Sequence, residues 1–503
     1  MPEGLEGVTA ETLEAFKKAQ SSGVLASTGI YGVDLSGLVS LVPVNVPARN
    51  NTAAFPRQIA GEGDTLARWR ALLNINNQQS DIAVGTDYAG PLNQVSEINA
   101  FAPYKPMAEG FTASLDAVAF ARNYANAQAV AQLMALNQLF IGQDLHIINS
   151  QNWPLGAPSQ PSAAAFTTGG SIAAATTVYV KVCAKSGWNY FTSGGNSPAS
   201  AVNSINVGST TNNNLVESSV VATKGAVAYD WYVGSSAGTL YYYTTTTVGH
   251  VNITSIPVAA QAIPTSLPLL TTTAPPSTPP TADTSFSANC YNGVLASSLG
   301  DYGALGPVAP GTGTPTSCSF IDNSGNAPQL VGGNGVDVLD NLNALIWANV
   351  QLSPTAYMMN SLTAAYISQL VLGTSAAFTV LPPTDADART NLAGGGYVAR
   401  YINRAAGGVP VAIEIHPRMA PGTIMARTDR VPFPGSNIGT AYEVRCQYDT
   451  MMFQYAANRM LNTLNGGPRY DGEIRSMETL INYAPGAQGV ITNIATPGTA
   501  NAS

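Results

Sequence analysis

Residues 112–148 read TASLDAVAFARNYANAQAVAQLMALNQLFIGQDLHII, and the rest of the chain is organised around this stretch. It contains no proline, is alanine-rich throughout, and carries the good helix formers Gln128, Gln132, Leu133, Met134 and Leu136. Leu115, Val118, Tyr124, Val130, Leu133, Met134 and Phe140 fall mostly at helical spacings, which predicts one helix from about Thr112 to Ile148. At 1.5 Å per residue such a helix spans ~50 Å, more than a small domain needs. Asn149-Ser150-Gln151-Asn152-Trp153-Pro154 ends it.

On either side of this helix the composition changes. No arginine occurs between Arg122 and Arg389, and the only lysines in that interval are Lys181, Lys185 and Lys224. A break on this scale marks one folded unit inserted into another. Val178, Val180 and Val182 alternate with Tyr179, Lys181 and Cys183, and Val227, Tyr229, Trp231 and Val233 alternate with Ala228, Asp230 and Tyr232. Together with the β-branched and aromatic run Leu240–Thr247, they predict a β-sandwich over 155–287. It is similar to an immunoglobulin or fibronectin type III module, without a Cys–Trp–Cys set. Pro264 to Pro280 reads as a stiff polyproline-like exit linker.

Upstream, residues 1–50 read as an extended arm with a short polar helix near Ala10–Gln20. Residues 51–106 read as a long hairpin whose tip is Gly61-Glu62-Gly63-Asp64 and whose return strand holds Arg68, Trp69 and Arg70. With no apolar cluster of its own, such a hairpin is expected to lie on a neighbouring subunit. Arg57, Arg68 and Arg70, interleaved with Glu62 and Asp64, are therefore candidates for inter-subunit contact; mixed signs favour a protein partner over a phosphate track. Downstream, Val338, Leu342, Leu345 and Ile346 predict one helix and Leu362, Tyr366 and Leu370 another. Val409–Ile415, Tyr442–Tyr448 and Glu473–Tyr483 read as strands, with a loose tail from Ala484.

Catalytic chemistry finds little footing. His146, His250 and His416 lie in separate segments without partners at metal-ligand spacing, so no metal and no cofactor is expected. Gly234-Ser235-Ser236-Ala237-Gly238 matches GxSxG by letters, but strand-like sequence on both sides makes it a hairpin turn rather than a nucleophile elbow. Asp385 and Asp387 read as a solvated turn, and no catalytic residue is assigned. Cys183, Cys290, Cys318 and Cys446 read as free thiols, with a Cys290–Cys318 bridge left open. Net charge is −8 and charged residues are 10% of the chain, against roughly 25% on average. That argues against nucleic-acid binding by bulk electrostatics. The N-terminus lacks an apolar signal core, so export is not expected, and no run is long enough to cross a bilayer.

The residues after the linker carry a family resemblance. Cys290-Tyr291-Asn292-Gly293-Val294-Leu295 resembles the F-D-G-L-L step after the long helix of tailed-phage major capsid proteins. Ser353-Pro354-Thr355-Ala356-Tyr357-Met358-Met359-Asn360 resembles that family's strand-to-helix step, Gly407-Gly408-Val409-Pro410-Val411 its G-x-P-V strand, and Pro421-Gly422-Thr423-Ile424-Met425 its return. The resemblance covers roughly residues 20–150 and 286–485.

It implies an α+β, HK97-type capsid fold: N-terminal arm 1–50, E-loop 51–106, P domain with spine helix 107–154, insert and linker 155–287, A domain 288–440, and P-domain return strands and tail 441–503. It further implies self-assembly into hexamers and pentamers of an icosahedral shell around double-stranded DNA, without sequence-specific contacts to that DNA. Portal, scaffolding and decoration proteins are the other partners implied. The insert is expected to face outward, where it would act as a spacer or stabiliser, contact neighbouring capsomers or bind glycans weakly, and its excision is expected to leave assembly possible. Lys105 has no identifiable acceptor asparagine for a covalent cross-link. An encapsulin-like compartment shell shares the host fold, and an extracellular β-sandwich binding protein is the reading from a different class.

Overall fold

The computed structural model describes residues 55–59, 65–74, 96–114, 118–119, 127–192, 195–258, 276–303, 306–316, 318–331, 335–374, 397–431, 438–454 and 469–496. The expected arm, residues 61–64 with Glu62 and Asp64, and the Asp385/Asp387 loop lie outside these residues. The expected hairpin is nevertheless corrected: Leu66–Asn74 pairs with Ser96–Pro103 and Arg57–Ile59 with Val444–Cys446, so the strand holding Arg68 and Arg70 is the outgoing one and 61–64 precede the hairpin instead of forming its tip.

The chain begins with β1 (Arg57–Ile59), a hairpin of β2 (Leu66–Asn74) and β3 (Ser96–Pro103), then β4 (Lys105–Ser114) and the long helix α1 (Ala127–Asn149). The arginine-free region gives β5 (Ser162–Phe166), β6 (Thr177–Ser186), the short helix α2 (Gly187–Phe191), β7 (Asn203–Asn206), β8 (Leu215–Ser219), β9 (Ala226–Ser236), β10 (Thr239–Thr246) and β11 (His250–Ile253). Then follow α3 (Val294–Leu299), the short strands β12 (Asp301–Gly303) and β13 (Gly306–Val308), and β14 (Ser319–Asp322). After β15 (Leu330–Val331) and β16 (Gly335–Val336) come α4 (Asp337–Val350), β17 (Ala356–Met359) and α5 (Ser361–Thr374). The chain closes with β18 (Arg400–Asn403), β19 (Val409–Ile415), β20 (Ile424–Arg427), β21 (Tyr442–Gln454), β22 (Arg469–Asn482) and β23 (Gly489–Thr492).

The architecture is α+β, and its host part is built on two larger sheets, with the two-stranded pairs β2-β3, β12-β13 and β15-β16 beside them among the described residues. The first runs β1-β21-β22-β4, drawing its strands from both ends of the chain. Helix α1 lies on it, with Ala135 and Leu139 packed on Phe111 and Ile474. The predicted helix does not begin at Thr112. Residues 112–114 instead finish β4, where Ala113 pairs with Tyr470 and Thr112 with Asp471. A waiting strand partner overrides local helix propensity at these three residues, and Ala127–Asn149 spans ~35 Å.

The second sheet runs β14-β23-β20-β17-β19-β18. Its central strands are buried on both faces, which is why they read as apolar runs. Tyr357, Met359, Ile424 and Ile491 face α4 and α5 through Leu339, Leu342, Ile346 and Ile367. The alternate residues Met358, Met425 and Val490 face the other way, into a core shared with α1, α3 and the first sheet. The C-terminal segment is therefore not a loose tail. Gly489–Thr492 is an interior strand between β14 and β20, and Ala484, Ala487 and Ile494 are buried.

The insert is a two-sheet sandwich, β10-β9-β6-β7 against β11-β8-β5. Val178, Val180, Val182, Trp231 and Val233 of one sheet meet Val216, Val251 and Ile253 of the other. An immunoglobulin domain puts its first, second, fourth and fifth strands in one sheet. Here the three-stranded sheet holds the first, fourth and seventh strands of the insert, so the sandwich architecture is shared and the connectivity differs. Alternation of side chains reports strands and faces but not the order in which they pair. The GxSxG letters fall on the β9–β10 hairpin, with Ser236 opposite Thr239.

Two expectations about the insert are corrected. Residues 276–285 do not stand off as a linker but strap across the sandwich: Tyr242 N donates to Ser277 O (3.1 Å), Ala199 N to Pro280 O (2.9 Å) and Thr284 N to Asn196 O (2.8 Å). Nor does the sandwich hang from the host. Tyr190 and Phe191 of α2, with Val227 and Ala228 of β9, sit in the same core as Leu145, Ile147, Tyr291 and Leu480. At the other end Ala222 N donates to Asp322 Oδ2 (2.8 Å) and Gly249 N donates to Asn493 Oδ1. Excision therefore removes part of the host core. All four cysteines are free, Cys290 and Cys318 included. No helix among the described residues is long and apolar enough to cross a membrane.

Candidate assembly surface

The sequence candidates separate once placed. Arg57 is held within its own chain: Nη2 donates to Glu478 Oε2 (2.7 Å), to Asp449 Oδ1 (3.0 Å) and to Cys446 Sγ (3.3 Å). Glu478 is fully enclosed and also accepts from Tyr291 OH at 3.0 Å, while Gln143 Nε2 lies 3.5 Å from its Oε2. Three distant segments thus converge on one carboxylate. Burial pushes the Glu478 carboxyl above its usual 4.5, against the pull of Arg57. Sequence reading missed this centre because nothing in a linear pattern links residues on opposite sides of an insert.

Arg68 and Arg70 remain exposed on the hairpin. Arg70 Nη2 reaches Glu97 Oε1 of the opposite strand at 2.5 Å, a diagonal cross-strand pair in the β2–β3 register. The hairpin base is anchored by Ala67, Tyr104 and Ile481, with Trp69 edge-on to Tyr483 (centroids 6.4 Å apart). Arg445 Nη1 donates to Arg68 O at 3.3 Å. Beyond this base the hairpin runs outward as a two-stranded ribbon, and such ribbons are marginal alone in water.

The first half of α1 carries the clearest surface signal. Val130, Leu133 and Met134 are 41%, 54% and 52% exposed, and the helix has no charged residue before Asp144. Ala135 and Leu139, on its other side, bind it to Phe111 of β4. At that same end of the first sheet, Met451, Met452 and Phe453 of β21 are also exposed, opposite Arg475, Ile474 and Glu473 of β22. Large apolar side chains left exposed in such number mark an interaction surface.

A cavity of about 370 Å³ lies where β4, α1, α2 and the returning chain meet, lined by Lys105, Met107, Leu139, His146, Trp188 and Tyr291 among others. The His146 ring sits between Trp188 (4.3 Å) and Tyr291 (5.9 Å), and its Nδ1 has no hydrogen-bond partner. Burial lowers its pKa from 6.5 to about 4. The folded state thus resists a proton that the unfolded chain accepts. Stability is expected to fall as pH drops from 6.5 towards 4, and His146→Gln should flatten that part of the melting-temperature profile. A slope unchanged by the substitution would exclude His146 as its source.

The described residues contain no group of three metal-ligating side chains. His416 Nδ1 accepts from Arg418 N (3.0 Å), which leaves Nε2 to face Asp144 Oδ2 at 3.1 Å in the interior; this pair fastens α1 to the chain after β19.

No family model matches the chain, and no curated protein matches it. Among solved structures it is similar to the capsid of a native GTA particle (10% identity, 94% of this chain, 99% of that chain, TM-score 0.41). It is similar also to the capsid of the cyanophage P-SCSP1u (10% identity, 93% and 96% covered, TM-score 0.33). The SrpI encapsulin of Synechococcus elongatus matches over 36% of this chain and 54% of its own, at 16% identity and TM-score 0.21. With every TM-score below 0.5, the functional reading rests on the chain's own geometry.

Proposed function

We propose that the chain is a structural shell subunit, the major capsid protein of a tailed phage, which closes with copies of itself into hexamers and pentamers around packaged DNA. The observation that carries this is the exposure of Val130, Leu133 and Met134 on α1 and of Met451, Met452 and Phe453 on β21. A lone subunit leaves those side chains and the projecting β2–β3 ribbon in water, and neighbouring copies would bury both. Arg68 and Arg70 on the ribbon are the charged candidates for those contacts; Arg57 is withdrawn from them by Glu478.

The β-sandwich is placed on the outer face in this reading, in keeping with its lack of arginine. Partners beyond self-association (portal, scaffolding and decoration proteins, or glycans for the sandwich) belong to the same proposal. Leu133→Asp combined with Met134→Asp should abolish particles in sedimentation velocity and leave a subunit of unchanged circular dichroism and melting temperature. Assembly at the wild-type level would remove this surface from the interface.

A further inference from the structure

We propose that Lys185 and Asn196 join through a side-chain amide bond inside the β-sandwich, with Asp230 moving the protons. The three groups form an enclosed cluster on the face of the four-stranded sheet turned away from the sandwich core. Lys185 Nζ lies 2.9 Å from Asp230 Oδ2, with side chains 2% and 0% exposed. Asn196 Nδ2 donates to the same oxygen at 2.8 Å and is itself wholly buried. Two groups sharing one acceptor at hydrogen-bond length stand within about 6 Å of each other.

The surroundings favour the reaction over a resting ion pair. Tyr232, Tyr242, Leu240 and Cys183 pack around the cluster, and the 195–200 segment and the returning strap cover it. Enclosing an ammonium and a carboxylate is costly even when they are paired. Thr245 Oγ1 holds Asp230 Oδ1 at 2.5 Å, and Tyr242 OH meets Thr245 Oγ1 at 2.7 Å, so the carboxyl is fixed in place. Asn196 Oδ1, by contrast, has no hydrogen-bond partner. A buried carboxamide with an idle carbonyl, next to an amine and bridged to it by a carboxyl, gathers the groups that acyl transfer between side chains needs: a nucleophile, an electrophile and a proton carrier.

The step balances without any other reagent. Lys185 gives one ammonium proton to Asp230, and its freed lone pair attacks Asn196 Cγ. The Cγ–Nδ2 bond then breaks, a second Lys185 hydrogen passes to Nδ2 by way of Asp230, and ammonia leaves. The third hydrogen stays on the new amide nitrogen, Asp230 ends as a neutral acid, and net charge is unchanged. The bond would tie β6 to the segment that holds the strap, since Asn196 N and O both bond Thr284.

Intact-mass measurement on the purified full chain decides the matter. The expected result is a mass one ammonia below that of the sequence, with digestion yielding a branched peptide joining Lys185 to Asn196. Lys185→Arg, which keeps the ion pair with Asp230 but not the nucleophile, should restore the full mass, as should Asp230→Asn. Full mass in the wild-type chain overturns the proposal even if a variant fails to fold. Loss of one water, with a branched peptide joining Lys185 to Asp230, overturns the assignment to Asn196.

Discussion

Removing residues 155–287 and joining the ends through a short linker is expected to abolish the soluble subunit. The insertion points themselves pose no obstacle, because Ser287 N donates to Gln151 O at 3.1 Å and the two ends lie side by side. What is lost is core. Tyr190 and Phe191 are 6% and 3% exposed, packed with Leu145, Ile147, Ile148 and Tyr291, and truncating one such aromatic costs ~3–5 kcal/mol. Two of them together rival the ~5–15 kcal/mol that holds a typical domain folded. The same cut strips the cover from Trp153, whose ring lies against Gly225 and Leu155. Size-exclusion chromatography of the soluble fraction reads the outcome, with Tyr190→Ala and Phe191→Ala as graded versions. A deletion variant that stays soluble and melts like the full chain would show that the sandwich is an appendage.

Arg57→Ala is expected to destabilise the subunit by about 3–5 kcal/mol, the usual cost of stranding a buried charge. Glu478 is the charge left behind, inside the first sheet and between segments that the insert separates in sequence. The exposed pair Arg70–Glu97 is the internal control: Arg70→Ala should change stability by less than about 1 kcal/mol. Urea denaturation of both variants tests the contrast, and equal losses would refute it. Glu478 also predicts a pH signature. Because burial raises its pKa above 4.5, folding takes up a proton there as pH falls, so this group's contribution is greatest in acid and declines as pH rises through the raised value. Glu478→Gln should erase that slope.

The sequence and the structure agree where periodicity has a single cause. Val338, Leu342 and Ile346 repeat at helical spacing because one face of α4 meets the second sheet, and the alternation of Val178, Val180 and Val182 reflects one face turned to the sandwich core. Both elements were legible. The start of α1 was not, because 112–114 satisfy a helical pattern and a strand pattern equally and the deciding partner, Arg469–Asp471, lies far along the chain. The C-terminal strand was obscured for a related reason. Its small residues, Gly489 among them, suit a position where Leu342 and Ile346 approach within 2.8 Å of where a Cβ would stand, yet in a linear reading they resemble a loose tail. The candidate surface was half visible: Arg68 and Arg70 were named from charge pattern, whereas Leu133 and Met134 entered only as apolar residues at helical spacing in a long helix. Only the position of the sheet shows which side of α1 is covered.

A chain that closes with its own copies into a shell should be visible as particles. Negative-stain electron microscopy of the purified full-length protein, across a range of concentration and ionic strength and with phage lysate factors added, tests it most directly. Closed, uniform icosahedral particles built of hexamers and pentamers are expected. Shells loaded with protein cargo and free of DNA would support a compartment rather than a capsid, and monomers under every condition would contradict the account.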